Sequence, residues 1–207
     1  MNFSNIKKNN NYFFSKSFLK KDSLNFQSNR LKNYFEKITS KDLIYNYNIQ
    51  NIMALPQFKK IIINVSSSMI ITDKKYLIPL LLALELISGQ KLKITKAKKS
   101  IASFKLKKNQ YIGCKITLKK QKMFTFLDKL ITILLPRLRD YKGYSSQNFK
   151  NPNTYTLGIE NLLLFPELEN HFDFFEHIKG LNITIVLSTS NSDQIKSLIS
   201  SMQFPLK

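Results

Sequence analysis

Tyr111–Lys119 reads YIGCKITLK, and its strict two-residue alternation decides the fold class. Ile112, Cys114, Ile116 and Leu118 fall on one side; Tyr111, Gly113, Lys115, Thr117 and Lys119 fall on the other. That is the period of an extended strand with one packed face and one polar face. Leu181–Ser188 repeats it, with Leu181, Ile183, Ile185 and Leu187 set against Asn182, Thr184, Val186 and Ser188. Phe58–Val65 is a β-branched run, and Leu92–Lys96 and Tyr155–Ile159 are shorter strand candidates, the last followed by a strand end near Pro166.

Between these segments the apolar period changes to that of a helix. Leu31, Tyr34, Phe35, Ile38, Leu43 and Ile44 recur at three- and four-residue steps, broken near Thr39–Ser40, which predicts one bent helix or two short ones over Arg30–Tyr47. A second helix is expected over Lys74–Ser88 with Asp73 as N-cap and Gly89 as its stop; Pro79 either lies in the first turn or kinks it. Gln121–Leu135, ended with help from Pro136, and Ser192–Met202 complete the set. Strands and helices in this order give an α+β fold: a mixed, largely antiparallel sheet with helices packed on one face and an open polar face. Residues 1–29 have no sustained period and read as a flexible or partner-ordered extension, leaving 30–207 as one domain. Arg137–Thr154 is a long polar loop, of the length that partners order.

The chain carries 33 Lys+Arg against 13 Asp+Glu over 207 residues, a net charge of +20 that favours a polyanionic partner, while 43% hydrophobic residues supply a core. Its longest apolar runs fall well short of the roughly 20 residues of a membrane span. Catalytic signals are missing. His171 and His177 are six apart, off the spacing that puts two imidazoles on one helix face, and five isolated glycines build no phosphate loop. Cys114, the single cysteine, shares the packed strand face and reads as a small hydrophobe. No catalytic residue, metal site or cofactor is expected.

Lysine is concentrated where acids are missing. Between Gln90 and Lys122 lie Lys91, Lys93, Lys96, Lys98, Lys99, Lys105, Lys107, Lys108, Lys115, Lys119, Lys120 and Lys122, with no carboxylate among them. Twelve unpaired cations across two strands and a loop make sense beside phosphate, which they neutralise with release of counterions. The neutral polar residues Asn64, Gln90, Thr95, Ser100 and Thr117 are the candidates for bases and 2′-hydroxyls. Phe104 and Tyr111 flank the Lys105–Lys108 loop, either to stack on a base or to anchor the hairpin. Three lysines on so short a connection are expected to keep it mobile and projecting.

Gly89–Lys105 (GQKLKITKAKKSIASFK) and Ile112–Leu118 (IGCKITL) resemble the central signature of the large-subunit ribosomal protein L5 family. Ala54–Asn64 (ALPQFKKIIIN), Leu135–Gly143 (LPRLRDYKG), Tyr155–Ile159 with Phe165–Glu167, and Leu181–Val186 (LNITIV) resemble it in the same order, so that the likeness covers residues 30–207. The resemblance implies a structural role in the central protuberance of the large subunit, holding 5S rRNA or large-subunit rRNA through the open sheet face. It implies rRNA contacts at Asn64, Gln90, Lys96, Lys98, Lys99, Ser100 and Thr117, to which the lysine run adds Lys91 and Lys119. It also implies a loop near P-site tRNA, with Phe104, Lys105, Lys107, Lys108 and Tyr111, and protein contacts to neighbouring large-subunit proteins and, through an intersubunit bridge, to a small-subunit head protein. The residue usage favoured by A/T-rich codons points to an organelle, the mitochondrion first and the plastid second. A free basic RNA chaperone or regulator acting off the ribosome is the rival expectation.

Overall fold

The alternating segments assemble into one five-stranded sheet in the order β2–β3–β1–β5–β4, with β1 Phe58–Ser66, β2 Lys93–Lys96, β3 Tyr111–Leu118, β4 Thr154–Asn161 and β5 Lys179–Leu187. This computed structural model describes residues 29–138, 153–189 and 191–205; the N-terminal extension and most of the Arg137–Thr154 loop lie outside them. Every neighbouring pair of strands is antiparallel, so the expected mixed sheet is wholly antiparallel. Nothing in these pairings needs the long crossover of a parallel pair within the sheet.

Register separates the two faces. Ile63 stands opposite Ile116 on one side and Ile183 on the other, Ile183 opposite Leu157; Ile61 is flanked by Leu118 and Ile185, Ile185 by Tyr155. All of these are buried. Burying one aliphatic side chain of this size contributes roughly 1.5–3 kcal/mol, so the apolar rows hold the sheet against the helices. The alternate positions form the other face.

Arg30–Tyr34 (α1) continues through a π-helical turn, Phe35–Thr39, into Ser40–Tyr47 (α2), giving the single bent helix of the two expected forms. Phe35 meets Phe58 of β1 and Phe124 at ring distances of 6.4 and 6.2 Å, fixing the helix over the sheet. Met69–Thr72 (α3) and a 3-10 turn, Lys74–Tyr76, lead into Leu77–Ser88 (α4). Of the two readings the helix takes the one that begins near Ile78 with Pro79 in its first turn, and Asp73 makes no side-chain capping bond. Pro79 is the third residue of α4, where its missing N–H would have had no intrahelical partner. Gly89 closes α4 at φ +58°.

Lys120–Lys129 (α5) passes through a second π turn, Leu130–Leu134, into Leu135–Arg137 (α6), so Pro136 sits inside the last turn rather than beyond it. Pro166 opens a short helix, Pro166–Glu169 (α7), followed by Phe172–Phe175 (α8), where a strand end was expected. Glu167 and Glu169 of α7 pair with Lys129 and Arg137, which ties this corner to the α5–α6 helix. Ser192–Ser201 (α9) buries Ile195, Leu198 and Ile199, and Ser197 meets Tyr47 hydroxyl to hydroxyl at 2.6 Å.

Candidate nucleic-acid interface

The sheet face away from the helices carries a polar row that register assembles across all the strands: Lys93, Lys115, Asn64, Asn182 and Gly158, each opposite the next. A second row runs Thr117, Ile62, Thr184, Thr156. The Thr156 hydroxyl donates to Thr184 Oγ1 at 3.5 Å, the limit of a useful bond. Asn64 and Thr117, two of the expected contacts, therefore share one surface. Asn182 and Thr184 belong to the same surface and were not singled out from the sequence, although the polar phase of Leu181–Ser188 had marked both.

Gln90 lies in the connection from α4 to β2, and its amide Nε2 donates to the Thr117 carbonyl at 3.4 Å. The fold brings these two together across the β2–β3 edge. The Ser88 hydroxyl supports the bend by donating to the Leu84 carbonyl at 2.6 Å. Lys91, Lys98, Lys99, Ser100 and Lys119 are exposed around the same edge.

Two lysines of the cluster have intramolecular work. Lys122 Nζ donates to the carbonyl of Gly89 at 2.9 Å, placing a cation at the C-terminal end of α4 where the helix dipole favours one. Lys96 Nζ lies 5.2 Å from the centre of the Tyr111 ring, a cation–π contact that gives Tyr111 a partner within the chain. Among the described residues, the ion pairs use Arg30, Lys32, Lys129 and Arg137, and none involves the twelve lysines of Gln90–Lys122. Their charge is uncompensated within the described protein.

The 97–110 loop is more ordered in its bonding than three like charges suggested. Ala97 N–H donates to the Gln110 carbonyl and Asn109 N–H to the Ala97 carbonyl; Ile101 and Leu106 exchange both backbone bonds around a 3-10 turn, Ala102–Phe104. Gln110 then fastens it: its Oε1 accepts from Lys107 N–H at 3.0 Å and its Nε2 donates to the Ile71 carbonyl at 3.0 Å. Lys105 closes the turn at φ +53°. Lys105, Lys107 and Lys108 are exposed as expected, and Phe104 presents its ring at the tip, 66% exposed.

Gly113 is required by this arrangement. A Cβ there would lie 2.3 Å from the Val65 carbonyl oxygen, because β3 presses against β1 at the Ser66–Gly113 pair. Cys114 beside it is fully buried; burial, and then the nearby Glu85 carboxylate, push its thiol up to about 12, so it is no nucleophile. The His177 ring packs edge-on against Tyr76. Glu160, Glu167, Glu169, Asp173 and Glu176 follow one another with no Lys or Arg between Thr154 and Ile178; of these Glu160 lies on the edge strand β4, while α7 and α8 pack beside α4 and Glu167 and Glu169 are paired with Lys129 and Arg137. Phosphate is attracted to the lysine-rich β2–β3 edge of the sheet.

Residues 51–107 match the family described as Ribosomal protein L5, and residues 111–206 match the model of that ribosomal family's C-terminus. The large ribosomal subunit protein uL5 of Geotalea daltonii is 43% identical to this chain over 178 residues, covering 86% of this chain and 98% of that protein. The uL5 protein of Neisseria meningitidis is 38% identical, and the protein uL5m of Reclinomonas americana 42% identical, each with the same coverage.

Proposed function

Because the chain belongs to the ribosomal protein L5 family, we propose that its open sheet face holds 5S rRNA, or the large-subunit rRNA that stands in for it, within an organellar ribosome. At the coarser level the chain is a structural, non-enzymatic protein of the large ribosomal subunit that contacts rRNA. The observation that carries the finer reading is the cross-strand row Lys115–Asn64–Asn182 beside an edge of lysines that form no ion pair among the described residues. Lysines supply attraction that is blind to sequence; the amides supply selection.

The exposed tip with Phe104, Lys105, Lys107 and Lys108 is assigned to P-site tRNA, for which exposed cations and a ring at the end of a braced loop are suited. Contacts to neighbouring large-subunit proteins and, through an intersubunit bridge, to a small-subunit head protein are assigned to the acid-rich Glu160–Glu176 segment, which carries no Lys or Arg and suits basic partners. The mitochondrion is the compartment proposed, on the A/T-favoured residue usage and the similarity to a relative whose name carries the mitochondrial suffix.

Two measurements test this reading. Binding of the full chain to 5S rRNA against an unrelated folded RNA of equal length should favour 5S rRNA by about tenfold or more at physiological salt; equal affinities overturn the 5S assignment. Sedimentation of a mitochondrial lysate at high salt should carry the protein with the large subunit. A wholly soluble pool favours the chaperone alternative.

A further inference from the structure

Lys93 and Lys115 stand directly opposite each other across the β2–β3 pair, both exposed. Of the described cross-strand pairs, this is the one that joins two lysines. Lys115 alternates with buried Cys114 and Ile116, so the pair lies on the open face. Like charges in this relationship destabilise a ladder, and β2 is an edge strand held by a single neighbour. Among the described residues neither lysine has a carboxylate within ion-pair distance. Among the described residues the repulsion is thus built in and unrelieved.

The next residue of the row supplies the context. Lys115 is flanked on its other side by Asn64, and Asn64 by Asn182. Two ammonium groups borne on Cβ atoms roughly 5 Å apart are close enough to serve one anion, as point charges that each take one oxygen. The amides one and two strands further on lie within a nucleotide's reach of that anion.

We propose that Lys93 and Lys115 clamp a single phosphodiester group of bound RNA between them, while Asn64 and Asn182 hold the adjacent ribose or base edge. This rests on the assignment of the open face to rRNA and adds a subsite to it. Lys98 and Lys99 differ: they are sequence neighbours in a turn, and no strand pairing converges them on one anion.

The test uses the full chain with 5S rRNA as probe and the variants Lys93→Gln, Lys115→Gln and the double variant, with affinity measured across a salt series. A shared phosphate remains neutralised when one lysine is lost. Each single variant should therefore bind about three- to fivefold more weakly with little change in the slope of log K against log salt. The double variant should lose roughly 0.7–0.9 of slope, one phosphate's worth, and about tenfold or more in affinity. If each single variant loses that slope and the double loses twice as much, the lysines serve separate phosphates and the clamp is wrong. A double variant that binds like wild type also overturns it.

Thermal melting of the free chain separates the clamp from a structural role. Lys93→Gln should raise Tm, most at low salt, because it removes the repulsion; a fall in Tm would show that Lys93 stabilises the edge and contradict the inference. Wild-type chain that binds no RNA overturns the reading of the whole open face, whereas wild-type binding with the additive pattern overturns the clamp alone.

Discussion

Gln90 reaches across the β2–β3 edge and donates its side-chain amide to the backbone carbonyl of Thr117, 3.4 Å away. The bond is long, so its energetic contribution is small, but it orients the amide beside the open face. Gln90→Ala should cost about 1–3 kcal/mol in binding to cognate RNA and little for a competitor, by analogy with a lost base-edge contact. Thr117→Val keeps the carbonyl and with it the Gln90 anchor, so any loss in that variant reports on the hydroxyl alone. Paired binding titrations distinguish the two; equal losses for cognate and competitor RNA would remove both residues from the selecting set.

Gly113 makes a second, purely structural prediction. With a Cβ placed 2.3 Å from the Val65 carbonyl oxygen, Gly113→Ala must separate β3 from β1 or distort both. Overpacking of this kind costs typically 1–3 kcal/mol, and backbone crowding puts this site at the upper end. Urea denaturation should show the midpoint falling with an unchanged m-value. An unaltered midpoint would mean that the sheet yields there without cost.

The thiol of Cys114 provides a pH prediction. Its folded value is raised to about 12 by burial and then by Glu85, above the usual 9.0. The folded state therefore keeps a proton that the unfolded chain loses, so the contribution to stability is fully present below pH 9 and declines as pH rises toward 12. Native protein at about pH 8, below the ordinary thiol value, should resist alkylation, and protein unfolded in urea should react at once. Rapid reaction of the native state would contradict the burial of this side chain.

The tip of the 97–110 loop is braced by Gln110 yet exposes Lys105, Lys107 and Lys108. Changing those three lysines together to Ser should leave incorporation into the large subunit nearly intact and weaken P-site tRNA retention as salt is raised. Loss of incorporation with unchanged tRNA retention would make the tip an rRNA anchor. Gln110→Ala should loosen the loop without changing its charge, which hydrogen exchange at Lys107 would register as faster exchange.

Much of the sheet was legible because alternation is a local property: Tyr111–Lys119 and Leu181–Ser188 each declare two faces without reference to any other segment. Register is not local. Nothing in the sequence says that Asn64 meets Asn182, or Lys93 meets Lys115, since a slip of two residues keeps the same faces and changes every pair. The short helices α7 and α8 span four residues each, about one turn, too little for a helical period to show. Gln110 was overlooked for a different reason: its amide braces the loop through Ile71, 39 residues away, a contact no spacing rule encodes. Charge says that the loop projects, and the backbone and Gln110 bonds add a brace that charge does not encode.

The central claim is that rRNA lies against the open sheet face, and a density map of the assembled large subunit tests it most directly. The account predicts RNA density along the row Lys93, Lys115, Asn64 and Asn182, with a phosphate between the two lysines and helices α4 and α5 on the far side of the sheet. RNA packed against the helices, with that row facing solvent or protein, would contradict it.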